Sequence, residues 1–201
     1  GDVTEIMTQV HESKDAPNPE TDKRFRMSDM ENTDLSGAKL SNFDFSMSSL
    51  AGTNFDGADL RGAKFKASAL NGASFVGADL SDANFAASDM QNANFTKANM
   101  AKTKFTSSAF KGATFTGAVF DHTVFKTCDL ENLNLNGVIF RGTVFDKTSC
   151  KDTTFDGAVF EDVTFHHSDP RKAIFAGAKM DKITYAGLKG MKANLDGVTV
   201  V

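Results

Sequence analysis

The sequence predicts an all-β solenoid, a chain wound into stacked four-sided coils of parallel strands. Large apolar residues recur every five positions from Phe25 to Val200, and 18 of the 19 phenylalanines lie at positions divisible by five. The residue two positions before them is mostly small, and glycine often follows two positions after. Neither the helical period of about 3.6 nor the strand period of two gives this spacing, so the backbone must turn a corner in every unit.

A second period of twenty residues lies on the first. Positions 25, 45, 65 and onward to 185 are all aromatic, whereas two of the other three columns hold mainly leucine and methionine. Stacking like residues every twenty positions would place parallel strands about 4.8 Å apart. The thirty-six units from Phe25 to Val200 therefore predict about nine coils, each with four sides of five residues.

The segments GADLRGAKF, residues 57–65, and SDANFAASDMQNANF, residues 81–95, resemble the pentapeptide-repeat proteins. Units of that family read A(D/N)LXX, with Leu or Phe at the centre. The resemblance extends from residue 25 to about residue 200. It implies a right-handed quadrilateral parallel β-helix in which the central residue and the small residue two before it point inward. The handedness rests on the resemblance alone.

Residues 1–23 precede the repeat and are predicted to form a unit separate from the β-helix of residues 24–201. Their apolar residues have the spacing of one helical stripe, which predicts a short N-terminal helix carrying Val3, Ile6, Met7 and Val10. This helix would cap the first coil, or it would be an arm that grips a partner, or the segment would be a disordered tail. No helix is predicted at the other end, where the chain reads NLDGVTVV.

No combination of nucleophile, base and oxyanion donor can be assembled from the sequence, so we predict neither an enzyme nor a cofactor. The adjacent His166 and His167 would need a third ligand from a neighbouring coil to bind a metal, and we expect none. Cys128 and Cys150 fall at inward positions, where we expect two packed thiols. No run approaches the ~18 apolar residues of a membrane span. The predicted location is the bacterial cytoplasm, or export by a specialised secretion system.

The distribution of charge bears on the function that the resemblance suggests. The best-known role of the family is to bind DNA gyrase by imitating the shape and charge of DNA, which requires an acidic surface. Residues 24–201 carry 20 acidic and 20 basic side chains, so the net charge of −4 lies entirely in residues 1–23. Basic side chains cluster around the aromatic column, where we predict a basic face of Arg24, Arg26, Lys64, Lys66, Lys104 and Lys126. Without outward aromatic residues, this strip is poorly suited to binding nucleic acid.

The position before the central residue is usually polar, but in the middle of the chain it becomes apolar. The twenty-residue period places Val119, Ile139 and Val159 in one ladder, and Val124 and Val144 in another on the adjoining side. Branched residues suit a stacked sheet and need no further role. The alternative is an exposed apolar corner for a protein partner or a second copy.

We therefore predict a non-catalytic scaffold or protein–protein docking module. It would form part of a larger bacterial protein or assembly, such as a secretion-system adaptor or effector. Its partner would be another protein, a neighbouring domain, or a second copy joined through the apolar corner or the coil ends, rather than nucleic acid or a membrane. The alternative function is that of a DNA-mimicking gyrase-binding protein that protects gyrase from its inhibitors.

Overall fold

The computed structural model describes residues 24–201. The predicted helix stripe of Val3, Ile6, Met7 and Val10 lies outside the described residues, and so does the segment of residues 1–23 that contains it. The described chain winds into a parallel β-solenoid, which confirms the predicted fold class. Each pairing joins a residue to the one twenty positions later, as in Phe105 with Phe125 and Phe125 with Phe145.

Each coil has four sides, which we call faces 1 to 4 and which begin at Phe25, Met30, Leu35 and Leu40 respectively. Faces 1 and 4 contain the regular strands, whereas faces 2 and 3 are joined by isolated bridges such as Asp29 with Ser49 and Asp34 with Asn54. The elements are β1 (Asn84–Ala86), β2 (Lys104–Thr106), β3 (Val119–Asp121), β4 (Val124–Lys126), β5 (Ile139–Arg141), β6 (Val144–Asp146), β7 (Val159–Glu161), β8 (Thr164–His166), β9 (Lys179–Met180), α1 (Lys182–Gly190) and β10 (Thr199–Val200). Face 1 has the strand order β1-β2-β4-β6-β8, and face 4 has the order β3-β5-β7-β9-β10.

The interior is filled by stacked phenylalanine rings. The rings of Phe105 and Phe125 lie 5.1 Å apart between centroids, and those of Phe125 and Phe145 lie 5.2 Å apart at an interplanar angle of 4°. Rings on different faces meet edge to face, as Phe65 and Phe75 do at 90°. Offset stacking and edge contact are both favourable arrangements of aromatic rings. The twenty-residue period therefore aligns identical side chains within one continuous core.

Buried hydroxyl groups bind neighbouring coils to one another. Where the small interior position holds Ser or Thr, the hydroxyl donates to a carbonyl oxygen 23 residues earlier, one coil below. Thr123 Oγ1 donates to the Met100 carbonyl at 2.7 Å, and Thr143 Oγ1 donates to the Phe120 carbonyl at 2.8 Å. These donors would be costly to bury without an acceptor, so the bonds allow polar residues inside the coil.

The turns are fixed in many units by the residue before the central position. In these units an Asp or Asn side chain accepts a hydrogen bond from the backbone N–H two residues later. Asn94 Oδ1 accepts from the Thr96 N–H at 3.0 Å, and Asp79 Oδ1 accepts from the Ser81 N–H at 3.0 Å. Within the described residues, none of the three-residue strands contains this bond. This hydrogen bond from a backbone N–H to an Asp or Asn side chain, which we call the Asx bond, and the regular strand are therefore alternative ways of completing a unit.

Near the C-terminal end the structure corrects the prediction, because α1 replaces two of the expected units. Its first residue follows the N-cap Asp181, whose carboxylate accepts from the Thr184 N–H at 2.7 Å. Thr184 is buried and bonds the backbone of Val163, and Leu188 is 1% exposed in the core. Side chains on one side of a helix recur every 3.6 residues, so Thr184 and Leu188 face the interior. In a β coil, the inward central positions would instead be Tyr185 and Gly190.

The helix leaves the repeat register unchanged on either side. Thr199 and Val200 pair with Lys179 and Met180 at the usual separation of twenty residues. The register of the repeat therefore gives no sign of the interruption. Complete coils are slightly fewer than the predicted nine, because faces 1 and 2 have no β rung beyond Thr164 and Asp169.

Candidate docking surfaces

The apolar corner, Val119, Val124, Ile139, Val144 and Val159, is assembled by two adjoining faces. On face 4, Val119 pairs with Ile139, and Ile139 pairs with Val159. On face 1, Val124 pairs with Val144. Val119 is 48% exposed and Ile139 is 45% exposed, while the other three are intermediate. The corner therefore presents two prominent apolar side chains and three that are partly covered.

A groove of about 210 Å³ lies beside this ladder, on the side of the preceding turn. Its floor includes Gly117 and Gly137, and a Cβ placed on Gly137 would meet no atom within 4 Å. Because the backbone at Gly137 has a φ of +69°, glycine suits the turn and also keeps the groove open. On the opposite edge, the guanidinium Nε of Arg141 donates to Glu161 at 2.5 Å.

The basic face is distributed along face 1. Its lower end surrounds an open depression of about 380 Å³, lined by Arg26, Lys64 and Lys66 together with Asp44 and small or flexible side chains. Lys104 stands two rungs above Lys64 in the ladder that passes through Asn84. Arg24 begins the ladder, and Lys126 ends strand β4, next to the apolar corner. The two predicted surfaces are therefore contiguous on face 1.

Sequence reasoning also missed several exposed apolar side chains. Met27 and Met47 are 77% and 46% exposed and occupy the same turn position, two residues after Phe25 and Phe45; Met47 lines the depression. Ile174 is 48% exposed on face 3, and Ile183 is 72% exposed on α1. The positions of Met27 and Met47 in their units were a usable signal, since these turn positions otherwise hold Gly, Asn or other mostly small or polar residues.

The described residues contain little with which to assemble a reactive site. Among residues 24–201, no three His, Cys, Asp or Glu side chains are grouped to hold a metal ion. Both cysteines are unbridged and buried, as predicted for packed thiols. Burial raises the pKa of Cys128 to about 11 and the pKa of Cys150 to about 12, which disfavours the nucleophilic thiolate. Residues 24–201 likewise contain no helix of the length and apolarity needed to span a membrane.

The twenty-residue coil, the inward Phe columns and the small interior residues define a class of protein. A family model for a "Pentapeptide repeat region" matches residues 69–135. A second family model, for "Pentapeptide repeats (8 copies)", matches residues 28–66 and 125–162. The chain belongs to the pentapeptide-repeat family. No curated protein sequence matches it.

Several solved structures of this family are similar to the chain. HetL, a protein involved in heterocyst differentiation regulation in the cyanobacterium Nostoc sp. strain PCC 7120, superposes with a TM-score of 0.66 at 17% identity, covering 99% of this chain and 92% of HetL. Full-length QnrB1, a plasmid-mediated fluoroquinolone resistance protein, superposes with a TM-score of 0.47 at 19% identity, covering 86% of this chain and 91% of QnrB1. A pentapeptide repeat protein from the thylakoid lumen of Arabidopsis thaliana superposes with a TM-score of 0.25 at 32% identity, covering 54% of this chain and 75% of that protein. At 17% identity, the likeness to HetL concerns the fold.

Proposed function

We propose that the chain is a protein-docking module whose binding surface is the apolar corner of Val119, Val124, Ile139, Val144 and Val159. The supporting observation is the ladder of Val119 and Ile139, both nearly half exposed on a face where the same position elsewhere is mostly polar. A parallel stack holds these side chains in a fixed row, so a partner meets a preorganised surface. The chain would act as a rigid scaffold rather than as an enzyme.

The surroundings of the corner favour a specific partner over indiscriminate adhesion. Asp121, Arg141 and Glu161 form a parallel ladder of alternating charge beside the apolar one. Charges at the edge of an apolar patch select partners by complementarity. Such a module suits an adaptor or effector within a larger bacterial assembly. The equal numbers of acidic and basic residues in the repeat region argue against the DNA-mimic alternative.

The test compares two substitutions of exposed isoleucine. Ile139→Asp introduces a charge into the apolar corner, whereas Ile174→Asp makes the same change at a residue of similar exposure on face 3. Affinity capture from the source organism is expected to retain a defined protein with wild type and Ile174→Asp, and to lose it with Ile139→Asp. Sedimentation velocity of the same three proteins shows whether the bound partner is a second copy.

Two results would refute this function. One is that wild type and Ile139→Asp retain identical proteins and have identical sedimentation profiles. The other is that Ile174→Asp loses the partner equally, which would indicate a general effect of added charge. Circular dichroism of each variant verifies that the coil stack remains folded.

A further inference from the structure

We propose that face 1 is also a docking surface for the anionic headgroups of a phospholipid bilayer, through Arg26, Lys64, Lys66, Lys104 and Lys126. This surface adjoins the apolar corner at β4, where Lys126 follows Val124 by two residues, but it consists of different residues. Attachment to a membrane surface needs no spanning helix, and it departs from the sequence-based expectation that the partner is not a membrane.

The cations of face 1 lie along parallel ladders, as in the register of Lys64 with Asn84 and of Asn84 with Lys104. Lys64 and Lys66 flank the buried Phe65 and are both exposed. At about 4.8 Å per coil, the Arg26 and Lys66 positions lie about 10 Å apart along the rod. Among the described residues, Lys64, Lys66, Lys104 and Lys126 make no ion pair with a carboxylate, so their charges are available to an external anion.

The principal acidic residue in this row is recessed. The Asp44 side chain is 24% exposed against 50% for Arg26, and the two approach to 3.8 Å. Asp44 Oδ1 accepts from both the backbone N–H and the hydroxyl of Ser46. Asp44 is therefore less accessible than the exposed Lys64 and Lys66. The other carboxylate of the row, Asp146 beside Lys126, is likewise only 25% exposed, so the cations are the more accessible charges of this face.

The depression on this face has an apolar edge as well as a charged one. Ala67 and Ala86 form its low parts, and Met47 contributes an exposed thioether side chain. Met27, 77% exposed, stands one rung below Met47. Lysines or arginines beside exposed apolar side chains are the combination that binds the interface of an anionic bilayer, where headgroups meet acyl chains.

The charge distribution orients the rod toward such a surface. On face 3, opposite face 1, the outward charges are mainly Asp34, Asp56, Asp156 and Asp196, with Lys97 the basic exception. An anionic plane attracts face 1 and repels face 3. A bilayer is favoured over duplex DNA because the exposed Met27 and Met47 can enter the boundary between headgroups and acyl chains, whereas the backbone of a duplex offers mainly phosphates.

The test is co-sedimentation of the full chain with vesicles, which suits a protein that has no tryptophan to report binding. Vesicles of phosphatidylcholine alone are compared with vesicles containing about 30% phosphatidylserine, at about 0.1 M salt. We expect binding to the anionic vesicles only, weakening as salt is raised.

Variants locate the interaction on face 1. Lys64→Gln/Lys66→Gln is expected to lower vesicle affinity about 25-fold, at roughly fivefold for each cation removed. The matched control Lys151→Gln/Lys172→Gln removes two exposed lysines at the corner of faces 2 and 3 and is expected to change affinity less than about twofold. Met27→Ser/Met47→Ser is expected to weaken vesicle binding several-fold without altering net charge.

Three results would overturn the proposal. The first is no sedimentation with phosphatidylserine vesicles at low salt. The second is equal loss of binding in the Lys151→Gln/Lys172→Gln control, because net charge alone would then explain it. The third is binding of duplex DNA as tight as vesicle binding at the same salt, which would assign face 1 to nucleic acid instead. Ile139→Asp is expected to leave vesicle binding unchanged, so this result stands apart from the test of protein docking.

Discussion

The lower part of the stack, residues 24–115, and the upper part, residues 116–166, share one interior but have different surfaces. In the lower part, Asx bonds such as the one at Asn94 complete many of the turns, and the residue before the central position is mostly polar. In the upper part, faces 1 and 4 carry Val or Ile at the same position in most rungs and form three-residue strands. Faces 2 and 3 of the upper part keep Asx bonds, at Asp129 and Asn134.

This difference shows that the interior and the surface of each unit are specified by different residues. The central residue and the small residue two before it set the coil, since both point inward throughout. The residue between them points outward. Where it is Asp or Asn, it completes the turn with an Asx bond in many units, and where it is Val or Ile on faces 1 and 4, the unit forms a three-residue strand. The outward residues of two faces can therefore change from polar to apolar without altering the coil beneath them. The apolar corner is the region where this change has taken place.

The shared interior gives the largest expected effect. Phe75 stacks between Phe55 and Phe95 at 5.0 Å from each, and Phe145 stacks between Phe125 and Phe165 at 5.2 and 4.7 Å. We expect Phe75→Ala and Phe145→Ala each to lower the free energy of unfolding by about 3–5 kcal/mol, measured by denaturant titration. Costs that differ by more than about 2 kcal/mol would mean that the two parts do not share an equivalent core.

The two thiols make the upper part sensitive to alkaline pH. Burial raises the pKa of Cys128 and of Cys150 in the folded chain, whereas an unfolded thiol has a pKa of about 8.5. The contribution of the two thiols to the free energy of unfolding is complete below pH ~8.5. It is lost as the pH rises toward the pKa values of the folded chain, at about 1.4 kcal/mol per pH unit for each thiol. Denaturant titrations at several pH values should show a shallower decline in Cys128→Ala/Cys150→Ala, and identical slopes would contradict this.

The Asx bonds of the lower part are tested by two asparagines at the same position of the unit. Asn94 Oδ1 accepts from the Thr96 N–H and from the Thr114 hydroxyl, at 3.0 and 2.9 Å. Asn84 lies in β1, and no described hydrogen bond involves its side chain. We expect Asn94→Ala to cost about 1 kcal/mol of unfolding free energy and Asn84→Ala less than half of that. Equal costs would show that the bonds do not stabilise the turns.

The smallest expected effect lies at α1, which belongs to neither part. Asp181→Ala removes the N-cap and is expected to cost about 0.5–1 kcal/mol, confined to the helix and its neighbours. Hydrogen exchange should accelerate at Thr184 and Tyr185 while the amides of Phe125 and Phe145 stay protected. Faster exchange throughout the stack would show instead that α1 stabilises the whole solenoid.

Much of this structure could be predicted from residue spacing. The periods of five and twenty predicted the positions of 18 of the 19 Phe, the ladder of Val119, Ile139 and Val159, and the burial of both thiols. The helix α1 did not, because it spans two units and rejoins the register at Thr199. Its sequence signals were Leu188 and Gly190, which depart from the repeat, and Asp181, which is a good N-cap residue.

The sequence by itself determined the coil, because a side chain that recurs every five residues on a turning backbone can be buried only along one axis. Only the tertiary structure decided how exposed the surface residues are: how far Val119 and Ile139 stand out, that a groove opens beside Gly137, and that Asp44 is less exposed than Arg26. Exposure depends on neighbours twenty residues away and on the backbone around each corner. Those relations exist only once the coils have stacked.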